Sequence, residues 1–383
     1  MKISEKIMAR RVDQVKDWSG QKVLLRIDIN ISLGKNGVVD DAEAWRIERS
    51  METIKYLIDG GASVILLGHI GRGESESLRP VHQYMTKKIQ MGFNDLKNID
   101  LTGRSVRHMA KGSVMMLENL RQDPGEKAND ISFLQPLIDE CDAYVNEAFS
   151  VSHRKHASLA AITEKLPSYF GFQFYQEVLH LEKVFDLSHK RSVLVLGGAK
   201  FGTKLDLLQS MIQDLDFVLV GGALAHPFLQ ATGTNIGQSY TDTSVDVSDI
   251  ASYQKIILPI DCVDQHGDVV DISAIRDEDM ILDIGPETEK IFETIIDASD
   301  LIIWNGPMGK YEEGYISGSQ LLAKSIGHAR GLSITGGGDT ATVILESKLQ
   351  DSFDFISTGG GAMLDFLIHK TLPGIEILIE NNS

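Results

Sequence analysis

Only two cysteines occur in the 383 residues, Cys141 and Cys262. They lie far apart with no CxxC or Cys/His spacing around them, which argues against a disulfide framework and a zinc site. Both read as core or near-core thiols. Basic charge is also scarce: 37 Lys and Arg stand against 54 Asp and Glu, a formal net charge of −17. That balance excludes a general basic surface for nucleic acid or an anionic membrane, so any anionic ligand must be held by a local cluster. No apolar run approaches membrane-spanning length, and the first residues, MKISEKIMARRVDQVKDW, lack the apolar centre of a signal peptide. A cytoplasmic protein is expected. No G-x-G-x-x-G follows any strand-like run, which weighs against a dinucleotide-dependent oxidoreductase.

What is present is a rhythm. From Lys22 an apolar run, a polar or glycine turn and a stretch at helical spacing recur, in a chain long enough for two α/β domains. KVLLRIDIN, SVILLGH, SVMMLEN and AYVNEA read as strands of the first half. Glu48 to Ile58, Val81 to Lys88, Ile131 to Asp139 and Leu159 to Lys165 read as its helices. Alternation of this kind implies a largely parallel sheet covered on both faces, with ligands bound beyond the carboxyl ends of the strands. The residues found there are Asp28 and Asn30, then His69 and Arg72, then Arg121, then His153, Arg154 and His156, with Arg46 opening the first helical region. Singly, each could be a surface or loop residue. Together, on one sheet edge of an acidic protein, they describe a cleft for a small, multiply charged anion.

Pro167 and Gly171 break the alternation, and Phe172 to Phe185 reads as a longer helix marking the domain boundary. After a short polar connection the second half repeats the architecture with glycine at most strand ends: FVLVGGALA, IILPIDCV, ILDIGPET, LIIWNGPMG, LSITGGGDT and FISTGGGA. Its first strand leads into RSVLVLGGAKFGTKLD, a glycine turn holding Lys200 and Lys204 at a helix start, where backbone N–H groups favour an anion. Thr203 precedes Lys204, so the order of a P-loop is absent. Solvated lysines on a tight turn are the alternative reading of this stretch. Gly336, Gly337 and Gly338 before Asp339 and Thr340 form a second amide-lined phosphate seat, with a carboxylate and a hydroxyl positioned for magnesium. Asn305, Gly306, Pro307 and Glu312 follow another strand end and could line a nucleotide pocket. Trp304 reads as core.

The stretches RIDIN, WRIERS, GHIGRG, LENLR, YVNEAF with SHRKHAS, LGGAK, GGALA, LPIDCV, DIGPET, WNGPMGKYE, ITGGGDT and STGGGA, in this order, resemble the phosphoglycerate kinase family from about Lys22 to Gly374. The resemblance implies two Rossmann-like domains with parallel sheets joined by a hinge helix, substrate and nucleotide sites facing across a cleft. It implies residues 1–170 as a phosphoglycerate-binding domain joined by 366–383, a hinge helix at 171–186, and a nucleotide-binding domain at 187–365. It implies reversible phosphoryl transfer between 1,3-bisphosphoglycerate and ADP, giving 3-phosphoglycerate and ATP, in a Mg2+-dependent monomer. Asp28, Asn30, Arg46, His69, Arg72, Arg121 and Arg154 match the phosphoglycerate residues. Lys200, Lys204, Gly221, Gly222, Asn305, Pro307, Glu312, Gly336, Gly337, Gly338, Asp339 and Thr340 match the nucleotide residues, with Glu312 at the ribose and Asp339 on the metal. Arg46, Lys200 and the amides of Gly337 and Gly338 are expected around the phosphoryl group in flight. Alanine at Arg46 or Lys200 is expected to lower kcat with little change in thermal midpoint.

The chain departs from the family pattern at supporting positions: Ser32, Ile70 and Gly73 in the early loops, Gln122-Asp123 after Arg121, Glu147 and Ser150-Val151-Ser152 before His153, Thr203, and Ala223. The alternative these departures raise is a catalytically weakened relative that binds nucleotide or phosphoglycerate in a regulatory role.

Overall fold

The strands of the first half are buried apolar runs at the centre of the sheet, such as SVILL, as a helix-covered parallel sheet requires, and short, less buried runs at its edges, GFN and SYF. In the computed structural model, which describes residues 2–34, 36–186, 191–242, 244 and 246–381, they are β1 (Lys22–Arg26), β2 (Ser63–Leu67), β3 (Gly92–Asn94), β4 (Val114–Leu117), β5 (Ala143–Asn146) and β6 (Ser168–Phe170). Their order is β3-β4-β2-β1-β5-β6, every pair parallel. β1 runs in register from Lys22 opposite Ser63 to Arg26 opposite Leu67. Val23 and Leu25 of β1 join Val64 and Leu66 of β2 and Ile54 and Leu57 of the helix Met51–Asp59 in one core. The strand order reverses between β2 and β5 on either side of β1, which opens a crevice past the carboxyl ends of β1 and β5.

The second half builds a like sheet from β7 (Ser192–Leu196), β8 (Phe217–Val220) and β9 (Ile256–Ile257), and later β13 (Leu301–Asn305), β14 (Leu332–Gly336) and β15 (Phe355–Ser357). The order β15-β14-β13-β7-β8-β9 is again parallel throughout, with the reversal at β7 and β13. Trp304 is fully buried in β13, stacked on Phe353. Between them, β10 (Asp261–Asp264), β11 (Val269–Asp271) and β12 (Ile281–Ile284) form a separate antiparallel sheet in the order β11-β10-β12. The expectation that IILPIDCV and ILDIGPET are parallel strands is corrected here. Pro259 lacks the N–H that a continuous ladder needs, and the run divides around it between two sheets.

Other boundaries also shift. Glu48 to Ile58 is two helices, Asp41–Arg49 and Met51–Asp59. Ile131 to Asp139 is a 3₁₀ turn, Ile131–Leu134, followed by one α turn, Gln135–Ile138. Leu159 to Lys165 holds only the 3₁₀ turn Ala161–Glu164. β3, β6 and the helix Ile99–Arg107 have no counterpart in the sequence reading, the two strands being three residues each and too short to show a period.

The chain divides into two units. One comprises the residues through Glu182 together with those from His369 on, and the other is Lys183–Ile368. In the first unit the returning helix Pro373–Glu380 is held by Gly374 N donating to Ser152 O at 2.8 Å and by Asn381 Nδ2 donating to Thr163 Oγ1 at 2.7 Å. The polar connection expected from Asp186 to Arg191 falls largely on residues 187–190, outside the described residues, as does the 187 boundary.

The helix expected from Phe172 is α-helical over Phe172–Glu182 and 3₁₀ over Lys183–Phe185. Its start is capped by the buried carboxylate of Glu147, which accepts from Gln173 N at 3.2 Å, Phe174 N at 3.1 Å and Thr53 Oγ1 at 2.5 Å. Those three donors favour the charged form, but burial outweighs them and pushes the Glu147 pKa up to about 8. A Cβ on Gly171 would lie 1.9 Å from Glu147 Oε2. Gly171→Ala therefore has to displace the cap, and we expect a loss of roughly 1–3 kcal/mol, read as a lower urea midpoint. An unchanged midpoint would show that the cap relaxes freely.

Candidate functional site

Loops at the β1/β5 crevice gather a cationic cluster. Arg26 closes β1 and is buried, so each of its guanidinium nitrogens needs a partner. Nε donates to Ser158 Oγ at 3.0 Å, Nη1 to Ile27 O at 2.7 Å, and Nη2 lies 2.7 Å from His69 Nδ1. Arginine can only donate, so His69 Nδ1 accepts and its proton sits on Nε2. That Nε2 is buried without a partner among the described residues, as is Arg121 Nε. Burial, then Arg26, Arg121, Arg154 and His156, hold the His69 pKa well below the usual histidine range. Burial followed by Arg154 and Arg26 pulls Arg121 down to about 10. Burial followed by Arg154, Arg121 and Arg26 pulls His156 down to about 4. Like charges pressed together with donors to spare form a seat for an anion.

Arg46 is held at the same edge. Its Nη2 donates to Asp28 Oδ2 at 3.0 Å and its Nη1 to Asn30 O at 3.0 Å. Burial opposes its charge, but Asp28 and Glu43 outweigh burial and keep its pKa above the ordinary value. Asn30 Oδ1 accepts from Gly71 N at 2.9 Å, and the Gly71 carbonyl accepts from Arg121 Nη1. The loop after β2 thus ties the Asp28–Asn30–Arg46 group to the Arg121 group. Arg154 is exposed and donates to His153 Nε2 at 3.0 Å. Arg72 is exposed, and among the described residues its side chain makes no hydrogen bond. Six of the seven expected anion residues are linked through these contacts, and Arg72 follows Gly71 on the loop that ties them.

In the second unit a cavity of about 580 Å³ opens at the β7/β13 reversal, lined among others by Lys200, Lys204, Gly222, Pro307, Glu312 and Asp339. Glycines allow three loops to interleave there. Gly198 N donates to Pro307 O at 2.7 Å, Gly222 N to Met308 O at 2.9 Å and Gly197 N to Asn305 O at 3.1 Å. At Gly306 φ is +99° and a Cβ would lie 2.3 Å from the Gly197 carbonyl oxygen, so a side chain is barred by both conformation and space. Lys204 is buried beneath this turn and donates to the Gly197 carbonyl. Burial followed by Lys200, against Asp339, lowers it to about 8. Lys200 is exposed on the cavity rim.

Gly337, with φ +109°, caps the helix Gly338–Glu346, whose first amides have no intrahelical acceptor. Asn305 Nδ2 donates to Gly336 O at 2.6 Å, and Thr340 Oγ1 accepts from Gly306 N at 2.8 Å. Asn305, Thr340, Gly221 and Gly336 are buried and support the loops, whereas the six residues named above line the cavity itself.

A protein-family model described as phosphoglycerate kinase matches residues 12–370. The chain belongs to the phosphoglycerate kinase family. It is 34% identical over 397 residues to the phosphoglycerate kinase of Geobacter metallireducens, covering 97% of this chain and 99% of that one. It is 39% identical over 386 residues to that of Orientia tsutsugamushi (strain Boryong), covering 94% and 95%. Among solved structures it resembles phosphoglycerate kinase from Pyrococcus horikoshii OT3, with TM-score 0.87 and 26% identity over 98% of this chain and 100% of that one. It also resembles the Coxiella burnetii enzyme, with TM-score 0.80 and 29% identity over 97% and 99%. The chain is therefore a phosphotransferase of the kind that uses a carboxyl group as acceptor.

Within this phosphoglycerate kinase fold, two of the departures have structural work. Asp123 Oδ1 accepts from Gly125 N at 2.8 Å and caps the helix Pro124–Ala128, and Glu147 caps the helix Phe172–Glu182. Thr203 is exposed in the first turn of the helix Gly202–Met211, and Ala223 lines the cavity. The residue that sequence reasoning missed is Arg26. Its signal was available, a lone charge inside the apolar run KVLLRI, which demands buried partners. No helix among the described residues is long and apolar enough to cross a membrane.

Proposed function

We propose that this chain interconverts 1,3-bisphosphoglycerate plus ADP with 3-phosphoglycerate plus ATP, using the first unit to hold the phosphoglycerate and the second to hold the nucleotide. The observation that carries the site assignment is the pairing of two unlike anion seats on one chain. A guanidinium–imidazole cluster suits a small phosphorylated acid, and a lysine- and amide-rimmed cavity suits a nucleotide.

In the direction of ATP consumption, the 3-phosphoglycerate carboxylate forms an O–P bond to the γ-phosphorus as the bond to the β-phosphate oxygen breaks, and ADP leaves. The attacking group is already ionised, so no general base is required. Asp28 and the Asn30 carbonyl aim the Arg46 fork at the phosphoryl oxygens, Lys200 meets the same charge from the second unit, and the amides of Gly337 and Gly338 add donors. Arg46 and Lys200 belong to different units, so both units supply groups to the transfer, and the helix after Gly171 is the proposed hinge between them.

The residues present fit Mg2+ carried on nucleotide phosphates. Among the described residues no group of three or more His, Cys, Asp and Glu could cage a metal, while Asp339 stands at the cavity beside the glycine amides. Magnesium takes most of its ligands from phosphate and water, and Asp339 would supply the protein carboxylate. When bound, the ion neutralises phosphate charge. A monomeric, cytoplasmic enzyme belongs to the same proposal, and the free thiols of Cys141 and Cys262 suit a reducing compartment.

Hydroxylamine trapping tests the acceptor. Protein, Mg-ATP and 3-phosphoglycerate should yield a hydroxamate. ATP consumption without hydroxamate would exclude a carboxyl acceptor.

Lys204 gives a pH signature. Its folded pKa of about 8 lies below its ordinary 10.5, so the free protein releases this proton as pH rises through 8. Phosphate beside the ammonium favours the charged form. At pH 9, ADP binding should take up a proton, measured by calorimetry in buffers of different ionisation heat. The uptake should vanish at pH 6.5, where Lys204 is charged in both states. No uptake at pH 9 would place the phosphates elsewhere.

A further inference from the structure

Beneath the cationic seat of the first unit lies a carboxylate that the chemistry above does not use. Glu126 sits in the helix Pro124–Ala128, whose start Asp123 caps, and it is 1% exposed. A carboxylate so buried has to be paired or hydrogen-bonded. Glu126 meets that demand through a single residue: Ser158 N donates to Oε2 at 3.0 Å and Ser158 Oγ to Oε1 at 2.8 Å. Ser158 is itself held in place. The Tyr144 hydroxyl, from β5, donates to its carbonyl at 2.7 Å, and the neighbouring Ala157 N donates to the Glu126 carbonyl at 2.9 Å. The carboxylate also lies 3.8 Å from His156 Nδ1, and its charge favours the charged forms of Arg26 and Arg121.

A hydroxyl has one proton and two lone pairs. The Ser158 proton goes to Glu126, so a lone pair is what Oγ offers Arg26, and it accepts from Arg26 Nε at 3.0 Å. Together with the bond from Nη1 to the Ile27 carbonyl, this fixes the guanidinium at two points and sets Nη2 against His69 Nδ1 at 2.7 Å. The carboxylate can only accept and the guanidinium can only donate, so the direction of each bond from Glu126 to His69 is determined. The series ends at His69 Nε2–H, which has no partner among the described residues, on a ring within the field of Arg121, Arg154 and His156. We propose that Glu126 and Ser158 are positioning residues for phosphoglycerate, holding Arg26 so that His69 is locked in the Nε2–H tautomer and offers that N–H to the anion. The inference rests on the reading of this seat as the phosphoglycerate site. In the other tautomer Nε2 would carry a lone pair, which repels an anion. A carboxylate acting only as a nearby negative charge would oppose anion binding, so its two roles have opposite signs.

The test is steady-state kinetics of the full-length protein with Ser158→Ala and Glu126→Gln. Ser158→Ala keeps every charge and removes the one oxygen that joins Glu126 to Arg26. It should raise KM for 3-phosphoglycerate by roughly ten- to a hundredfold, the range for losing a partner that orients a binding residue, and leave KM for ATP unchanged. In Glu126→Gln the amide oxygen has to face Ser158 N, which turns its N–H toward Ser158 Oγ and leaves the hydroxyl proton without its acceptor. This variant should also weaken 3-phosphoglycerate, whereas loss of a nearby negative charge alone would strengthen it. An unchanged KM for 3-phosphoglycerate in Ser158→Ala, tighter binding in Glu126→Gln, or an equal rise in both KM values would overturn the inference. Either variant can lose its fold, so a second measurement uses the unaltered protein. In ¹⁵N-histidine spectra at pH 7, His69 should show a protonated Nε2 and a bare Nδ1, and Nε2 should shift when 3-phosphoglycerate is added. A protonated Nδ1, or binding of 3-phosphoglycerate with no response at His69, would overturn the inference alone. Failure of the unaltered protein to bind 3-phosphoglycerate would overturn the site reading and the inference with it.

Discussion

Arg46→Ala is expected to lower kcat by roughly 10³- to 10⁵-fold, the range for removing an arginine that stabilises a phosphoryl group in flight. That corresponds to roughly 4 to 7 kcal/mol of transition-state stabilisation. Arg46 is suited to the role because Asp28 and the Asn30 carbonyl fix two of its nitrogens, so little reorganisation remains when charge develops. Sequence alone gives no reason for this change to affect stability, but the structure does. Asp28 is 3% exposed, and its ion partner is Arg46. Alanine strands a buried carboxylate, costing roughly 3 kcal/mol, the low end for breaking a buried pair because the Arg46 side chain keeps 16% exposure. The thermal midpoint should therefore fall together with kcat. Arg46→Lys should recover stability better than rate, since an ammonium can pair with Asp28 but cannot reproduce the fork. Both measurements are steady-state rates and a thermal melt. A rate within tenfold of wild type in Arg46→Ala would remove the arginine from the reaction.

Lys200→Ala is the contrasting case. Lys200 is exposed, and among the described residues its ammonium makes no hydrogen bond or ion pair, so the fold does not depend on it. We expect kcat to fall roughly 10²- to 10³-fold, as for loss of one preorganised donor to developing charge, with the melt unchanged. A rise in KM for ATP alone, with kcat intact, would show that Lys200 contributes only to ground-state binding. The pair of variants thus separates an arginine that serves both fold and rate from a lysine that serves rate.

The two halves, their parallel sheets and the loops that carry the charged residues are legible in the sequence because fully buried strands such as SVILL and SVLVL announce themselves as uninterrupted apolar runs. The antiparallel sheet is not legible, since IILPIDCV looks like one strand until Pro259 is placed. Short strands such as Gly92–Asn94 carry too few residues to show a period. Within the candidate sites, residues at strand ends were readable one by one, but the buried partners that orient them were not. Arg26 shows as a charge inside an apolar run that demands a buried partner, but only the fold identifies that partner as His69.

The measurement that tests the account most directly is turnover of 3-phosphoglycerate with Mg-ATP, followed by a coupled assay of the acyl phosphate formed. Saturable turnover at roughly 1–100 s⁻¹, the usual range for kinases, is expected, reduced by the stated factors in Arg46→Ala and Lys200→Ala. ADP binding of ordinary affinity with no turnover in the unaltered protein would contradict it.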